Sequence, residues 1–153
     1  GGNIMSEEYI YNKAQVNLMK GLINDLSDAG TDIKAALLAD TYTPDQVNDD
    51  NWGDVSAEEI SGTGYSAGGQ SLTTKAVTDS AGVCSFDADD VVWASSTLSA
   101  QYVVIYDNTP AADADKKLIG YIDYGEVKQS TGGDWKVEFS SSGIWTLTAT
   151  QAV

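Results

Sequence analysis

The feature that most limits the fold of this chain is a series of short segments that favour β-strands and follow one another from residue 72 to residue 150. Only turn residues separate them, and strands at such intervals without helices between them are typical of antiparallel sandwiches and jelly rolls. We therefore predict a mainly β fold, an antiparallel β-sandwich that is jelly-roll-like. The predicted strands are Leu72 to Thr78, Val83 to Asp87, Val91 to Ala94, Ala100 to Asp107, Lys117 to Tyr124, Trp135 to Ser140 and Ile144 to Thr150.

Two of these segments indicate how their strands are buried. In residues 135–139, the apolar Trp135, Val137 and Phe139 alternate with two charged residues, which predicts a strand with one packed face and one wet face. Residues 102–106 are apolar on both sides. They suit a central strand that is covered by a partner sheet on one face and by the N-terminal helix or another subunit on the other.

One amphipathic helix is predicted, from Ser6 to Leu26. Its apolar residues recur at spacings of three and four, which is the period of a helix with one buried stripe. Gly21 weakens the middle of this helix by about 1 kcal/mol relative to alanine, so we expect the helix to end early or to bend there. We predict that the stripe packs on the chain's own sheet, and binding to a partner is the alternative. The stripe consists of Ile10, Ala14, Leu18, Met19, Leu22, Ile23 and Leu26.

Three segments between the helix and the strand series are less regular. Residues 32–39 allow a helix, which Ala and Leu favour, or a buried strand between two turn signals. Residues 44–53 are rich in Asp and Asn and are predicted to form a loop or short helical turn that Trp52 pins down. Residues 62–69 are rich in glycine but lack the strand, helix and Lys-Ser/Thr ending of a phosphate-binding loop, so we predict a loop between strands.

The charge of the chain argues against several classes of function. The sequence has 8 Lys+Arg against 23 Asp+Glu, a formal net charge of -15, and no arginine or histidine. Arginine grips phosphates and carboxylates, and histidine is the side chain whose proton moves near neutral pH. Nucleic acid and anionic membrane surfaces would both repel such a chain. We therefore expect neither as a partner.

The length and hydropathy of the chain predict one soluble domain. A chain of 153 residues buries about 70% of the surface that its unfolded form exposes, which is enough for one sizeable core. No segment approaches the roughly 20 apolar residues that span a bilayer. We assign residues 1–5 to a tag or flexible N-terminal extension and residues 6–153 to a single β-sandwich domain with an N-terminal helix.

From the sequence, no residue receives a catalytic, cofactor-binding or metal-binding role. Cys84 is the single cysteine, and without a histidine to activate it we interpret it as a small buried hydrophobe. Loops of carboxylates can bind calcium, and the best candidate here is Asp87 to Asp90, although aspartate is also an ordinary turn and cap residue. The acidic clusters are Asp45, Asp49, Asp50 and Asp54; Asp87, Asp89 and Asp90; and Asp107, Asp113 and Asp115.

Paired carboxylates can also cleave glycosides, in a cleft lined by aromatic side chains. Three of the four tryptophans lie on predicted strands, where filling the core is the more common use. Because the chain has no arginine, histidine or recognisable motif, we do not predict hydrolysis. The tryptophans are Trp52, Trp93, Trp135 and Trp145.

A recognisable series of segments extends over most of the chain, from about Tyr11 to Leu147. It comprises residues 11–13, 18–21, 42–45, 59–69, 86–91, Trp93, 102–106 and 118–123. Together these segments resemble a family of small virion structural proteins of tailed bacteriophages and prophages. In similar proteins the segment before Tyr42 is extended, so the resemblance implies that residues 32–39 form a strand, with sheet context overriding the local preference of its alanines.

The resemblance implies a structural role without enzymatic activity. We predict a capsid decoration or cement protein, or another head-associated protein, located in the phage particle and assembled in the host cytoplasm. Its expected partners are the major capsid protein or other virion proteins and further copies of itself, as a trimer at local lattice axes. The alternative is a tail or fibre module that binds host-surface carbohydrate through exposed tryptophans. An enzyme would instead require two carboxylates that face one another across an open cleft.

Overall fold

The strands and helices come from a computed structural model that describes residues 7–152. Ser6 and the extension predicted at residues 1–5 lie outside the described residues. The helices are α1 (Asn12–Met19) and α2 (Trp52–Val55), with short 3-10 turns at Ser56–Glu58 and Asp113–Asp115. The strands are β1 (Glu7–Ile10), β2 (Ile33–Leu38), β3 (Gln70–Ser71), β4 (Ala76–Ser80), β5 (Val83–Asp87), β6 (Val91–Asp107), β7 (Leu118–Val137) and β8 (Trp145–Thr148).

The strands form two antiparallel sheets, which confirms the prediction of a mainly β fold. The larger sheet has five strands in the order β1-β7-β6-β2-β3, and the smaller has three in the order β4-β5-β8. Buried apolar residues of both sheets belong to one core, which includes Val103 and Ile105 of β6, Phe86 of β5 and Trp145 of β8. Hydrophobic burial therefore joins the two sheets to each other.

The frame of the larger sheet is one long hairpin, where separate short strands were predicted. β6 and β7 pair from Val91↔Val137 to Tyr106↔Leu118, with register shifts between Trp93 and Ser96 that bend the pair. The polar residues between the predicted strands do not end them, because residues 96–99 lie opposite residues 129–133 and the two segments satisfy each other's backbone groups. A prediction from turn-forming residues alone therefore divided β6 and β7 into shorter strands, although their backbone pairing continues.

The predicted strand Leu72 to Thr78 is wrong, because the chain passes from one sheet to the other within it. The Leu72 N–H donates to the Ile33 carbonyl oxygen at 2.7 Å, next to the end of β3 in the larger sheet. Thr74 then has a φ of 53°, outside the extended region, and β4 begins only at Ala76 in the smaller sheet. The prediction at Val83 to Asp87 is confirmed by β5.

The helix predicted from Ser6 to Leu26 is wrong at both ends. Glu7–Ile10 forms β1 and pairs with β7, because the free edge of β7 provides backbone hydrogen bonds that local helix propensity cannot match. Helix α1 ends at Met19, and Gly21 follows with a φ of 70°. This early end was predicted from the cost of glycine within a helix, and the structure adds that Gly21 is left-handed, which is a common way for a helix to stop.

The strand predicted at residues 32–39 is confirmed by β2, which lies between β6 and β3. Residues 102–106 are also buried in the central strand β6, as predicted. A segment that the sequence did not indicate covers the face with Tyr102 and Tyr106. Tyr42 meets Tyr102 edge to face at 5.2 Å, and Trp52 stacks on Tyr106 at 4.4 Å. The 42–55 segment thus covers this face, with Trp52 buried as predicted.

A chain of hydrogen bonds connects the tyrosines on this face. The Tyr11 and Tyr42 hydroxyls lie 2.8 Å apart, and the Tyr42 hydroxyl donates to Asp49 Oδ2 at 2.8 Å. All eight tyrosines have a pKa raised above 10, mainly through burial except at Tyr9, where the hydrogen bond to the Glu7 carboxylate is the largest cause. The folded state therefore holds these phenolic protons more tightly than the unfolded state.

We expect alkaline unfolding and tyrosine ionisation to coincide. A raised pKa contributes stability that is complete below the unfolded value of about 10 and is lost as the pH rises past it. In an ultraviolet titration, the folded protein should form little tyrosinate near pH 10, and the denatured chain should ionise there. Tyrosines that titrate near pH 10 while near-ultraviolet circular dichroism stays native would contradict this expectation.

A buried carboxylate attaches the segment after α1 to the end of β6. Asp107 is 0% exposed, and its two carboxylate oxygens accept hydrogen bonds from the Asn24 and Thr109 N–H groups, each at 2.9 Å. Backbone donors that lose a buried acceptor keep their full desolvation penalty. Asp107 therefore determines where residues 22–26 lie.

Replacing Asp107 by alanine should lower the free energy of unfolding by about 2 to 4 kcal/mol, because two backbone donors lose their partner. Urea denaturation measures the change. The exposed Asp115→Ala is the matched control and should shift stability by less than about 0.5 kcal/mol. Equal effects of the two substitutions would show that the Asp107 hydrogen bonds do not anchor this segment.

Candidate functional site

An apolar groove lies between the end of α1 and the smaller sheet, and we call it the helix–sheet groove. It has a volume of about 250 Å³ and is open to solvent. Two of its lining residues are polar, Asn24 and Asp25. The apolar part of the lining consists of Leu18, Ile23, Leu26, Val77, Cys84, Phe86, Trp145 and Leu147.

Strand pairing in the smaller sheet produces one wall of the groove. Val77 pairs with Phe86, which pairs with Trp145, so these three side chains share a face. Cys84 and Leu147 pair on the same face two residues along. The residues between them, mostly Ser and Thr, point to the opposite face. The groove face is therefore apolar except at Asp79, which pairs with Cys84.

The segment after α1 forms the other wall. Gly21 reverses the chain, and the hydrogen bond from the Asn24 N–H to Asp107 holds Ile23 and Leu26 over the sheet. Asp25 stands at the rim, where hydrogen bonds from the Ser27 hydroxyl and N–H lower the pKa of its carboxyl group. The groove is therefore apolar within and negatively charged at this rim.

The groove leaves large apolar side chains in contact with solvent. Val77 is 43% and Leu147 is 41% exposed, and Met19 and Leu22 are exposed at the end of α1 nearby in sequence. Cys84 was interpreted as a buried residue, but its side chain is only half-buried and lies on the groove wall. Contiguous exposed apolar surface of this kind marks interaction sites.

The aspartates of the proposed calcium loop support turns. Asp89 accepts a hydrogen bond from the Thr74 hydroxyl at 2.6 Å, and Asp90 accepts one from the Phe139 N–H at 2.9 Å. Across residues 7–152, no three Asp, Glu, His or Cys side chains come together as a metal-binding group. Asp89 and Asp90 thus act as acceptors that support turns.

The first acidic cluster has similar structural roles. Asp54 caps α2 by accepting the Asp50 and Asn51 N–H groups. Asp50 binds the Lys117 ammonium and the Asn17 amide, each at 2.7 Å. Burial alone would raise the pKa of Asp50, but these hydrogen bonds outweigh it and hold the pKa below its usual value. Asp50 is therefore a charged group that links its own loop to Asn17 of α1 and to Lys117, which directly precedes β7.

The third acidic cluster is divided by burial. Asp107 is inside the fold, whereas Asp113 is exposed and pairs with Lys116 at 2.8 Å. Asp115 is exposed in the same short turn. These three carboxylates are therefore not a common site.

The tryptophans do not provide the aromatic platform that carbohydrate binding or glycoside cleavage requires. All four are buried, with Trp52 at 6%, Trp93 at 2%, Trp135 at 0% and Trp145 at 5% exposure. Trp93 and Trp135 meet edge to face at 6.0 Å within the core. The alternative of a carbohydrate-binding module required exposed tryptophans, and this requirement is not met. The tryptophans pack in the core instead. In the helix–sheet groove, Asp25 is the single lining carboxylate, so the groove has no catalytic pair.

The glycine-rich residues 62–69 form a loop, as predicted. Glu59 accepts hydrogen bonds from the Gly68 N–H at 2.6 Å and the Tyr65 hydroxyl at 2.7 Å, so a carboxylate of the chain occupies this part of the loop. A Cβ atom at Gly69 would lie 1.9 Å from the Ala35 carbonyl oxygen. Glycine is therefore needed there for close approach to β2.

No protein-family model, curated protein or solved structure matches this chain. The resemblance to virion structural proteins thus stays a prediction. Among residues 7–152, no helix has the length and apolar character to cross a membrane.

The helix–sheet groove should bind a small neutral apolar dye such as Nile red, with enhanced emission. Leu147→Glu should weaken binding by about tenfold or more, because the dye would then have to desolvate a carboxylate. Val83→Glu is the matched control, since Val83 is 37% exposed and points to the opposite face of the same sheet. A fluorescence titration gives both affinities, and equal affinities for the two variants would place the dye elsewhere.

Proposed function

We propose that this protein is a non-enzymatic structural component of a tailed-bacteriophage particle, a capsid decoration or cement protein or another head-associated protein. The observation that carries the proposal is the helix–sheet groove, an open apolar surface on a chain with a net charge of -15. Apolar surface drives association, and the acidic background limits which partners can approach. The resemblance of residues 11–147 to virion structural proteins supplies the context.

In this proposal the protein acts by shape and adhesion. The two sheets face each other as a sandwich of jelly-roll type, and the apolar side of the smaller sheet is left partly open. A neighbouring virion protein inserts apolar side chains into the groove and removes Val77 and Leu147 from water, which supplies the free energy of attachment. The acidic surface keeps a repetitive outer layer soluble and mutually repelling.

The partners in this proposal are the major capsid protein or other virion proteins, together with further copies of this chain. Self-association as a trimer at local lattice axes would place each copy in the same environment. The chain is assembled in the host cytoplasm and resides in the phage particle. Nucleic acid and membranes are not partners in this proposal, because the acidic surface repels both.

A particle-binding assay tests the proposal. Purified protein added to particles assembled without it should bind, and Val77→Glu should weaken binding at least about tenfold, equivalent to about 1.4 kcal/mol, because it introduces a charge on the groove wall. Val83→Glu, on the polar face of the same sheet, should bind as the wild type does. Bound particles should also protect Cys84, on the groove wall, from alkylation.

Two results would contradict the proposal. One is a strictly monomeric protein that does not bind particles lacking it. The other is enzymatic turnover that is lost when an aspartate is changed to asparagine while circular dichroism stays native. Unchanged thermal unfolding of Val77→Glu and Val83→Glu separates a binding defect from a folding defect.

A further inference from the structure

The outer edge of β8 differs from the other free strand edges of the two sheets. Natural sheets protect their edges with short strands, charged side chains or proline. Strand β3 has two residues, β1 carries Glu7 and Glu8, and β4 contains Asp79 and follows Lys75. Strand β8 has four residues, as β1 does, but it carries no charged side chain or proline, and no residue from 139 to 153 is charged. In so acidic a chain, β8 is the edge where another strand could pair without charge repulsion.

The hydrogen-bond pattern shows which groups β8 offers to another strand. The Ala149 N–H donates to the Gly82 carbonyl at 2.9 Å, and the register places Leu147 opposite Cys84. Odd-numbered residues of β8 therefore bond to β5, since hydrogen-bonded pairs alternate in an antiparallel ladder. The backbone N–H and C=O groups of Thr146 and Thr148 consequently point away from β5, toward the free edge.

A recess lies next to this edge, and we call it the edge slot. It has a volume of about 380 Å³ and is bounded by residues 8–10 of β1 on one side and residues 144–147 on the other. Strands β1 and β8 are the outer strands of the larger and the smaller sheet. The edge slot therefore lies between the outer strands of the two sheets, and an additional extended strand would lie beside both. On the β1 side the Ile10 carbonyl already accepts a hydrogen bond from the Gln46 side chain at 2.9 Å, so the backbone pairing is assigned to β8.

The charge of the edge slot favours a basic occupant. Glu8 lines the slot, and partial desolvation there raises the pKa of its carboxyl group. The two ion pairs formed within residues 7–152 join Lys116 to Asp113 and Lys117 to Asp50, so neither neutralises Glu8. A lysine or arginine on an incoming strand would do so.

A second copy of the chain fits the edge slot less well than a different protein does. Each copy has a net charge of -15, so long-range repulsion opposes the pair. Pairing two β8 edges would also join only four residues of each chain, whereas stable interfaces bury about 1,200 Å² or more. An extended segment inserted between β1 and β8 would instead be contacted on two sides.

We propose that the edge slot accepts an extended segment of another protein, which pairs with β8 through backbone hydrogen bonds and places apolar residues and one lysine or arginine beside Glu8. This mode is β-strand addition, in which the backbone provides affinity and alternate side chains provide specificity. That the donor is another virion protein rests on the proposed function, but the slot and its chemistry do not.

An acetylated and amidated peptide, Thr-Val-Thr-Lys-Thr-Val-Thr, is a suitable probe, because its valines and lysine share one face of a strand. At millimolar peptide, amide hydrogen exchange measured by NMR should slow several-fold at Thr146 and Thr148. A peptide with glutamate in place of lysine should protect these amides less. In Glu8→Gln, affinity for the lysine peptide should fall by about two- to fivefold, as expected for an exposed ion pair.

Proline substitutions provide the matched pair of variants. Thr146→Pro removes an outward N–H without breaking a bond to β5, so it should abolish peptide binding while the sheet persists. Asp79→Pro is the control on the opposite edge of the same sheet. Ser80 and Val83 close the two-residue turn as a hydrogen-bonded pair, so the Asp79 N–H also points outward. Binding by this variant should be unchanged, and circular dichroism verifies that both variants fold.

Several results would overturn the inference. They are the absence of protection at Thr146 and Thr148, protection of residues 76–80 instead, and equal binding by Thr146→Pro. Protection of the same amides that rises with protein concentration alone would assign the slot to a second copy and also overturn it. If Thr146→Pro loses the peptide but still binds particles, the slot and the proposed function both stand, and the donor is not a virion protein. If the peptide binds the wild type but the wild type does not bind particles, the slot stands and the proposed function fails.

Discussion

The antiparallel pairing of β6 with β7 holds the rest of the fold in position. Strand β1 adds to the outer edge of β7, and β2 followed by β3 adds to β6. At the end of β6, Asp107 binds the segment after α1, which then lies over the smaller sheet. The position of the helix–sheet groove therefore depends on a hydrogen bond to the central strand, although no residue of β6 lines the groove.

The candidate binding surfaces meet at β8. Trp145 and Leu147 line both the helix–sheet groove and the edge slot, so a ligand at one surface would lie close to the other. Residues 139–153, which include β8, are uncharged, while the chain as a whole is strongly acidic. Electrostatic repulsion therefore disfavours association at most of the surface, and hydrophobic and backbone interactions are concentrated around β8.

Several carboxylates in this protein organise its own backbone. Asp54 caps a helix, Asp90 accepts the Phe139 N–H, and Glu59 accepts the Gly68 N–H. Each supplies an acceptor where a loop would otherwise leave a donor unpaired, which is the usual reason for aspartate in turns. Hydrogen bonds to the chain's own loops and turns therefore account for several residues of the acidic clusters.

Local sequence patterns determined the features that depend on neighbouring residues. They include the mainly β fold, the extent of β5, the buried centre of β6 and the end of α1 near Gly21, because side-chain periodicity and glycine conformation act over a few residues. Pairing between distant residues was decided only by the tertiary structure. It made Glu7–Ile10 a strand on β7 and brought Cys84 beside Leu147, which no local propensity encodes because each backbone group bonds to whichever edge the folded chain presents.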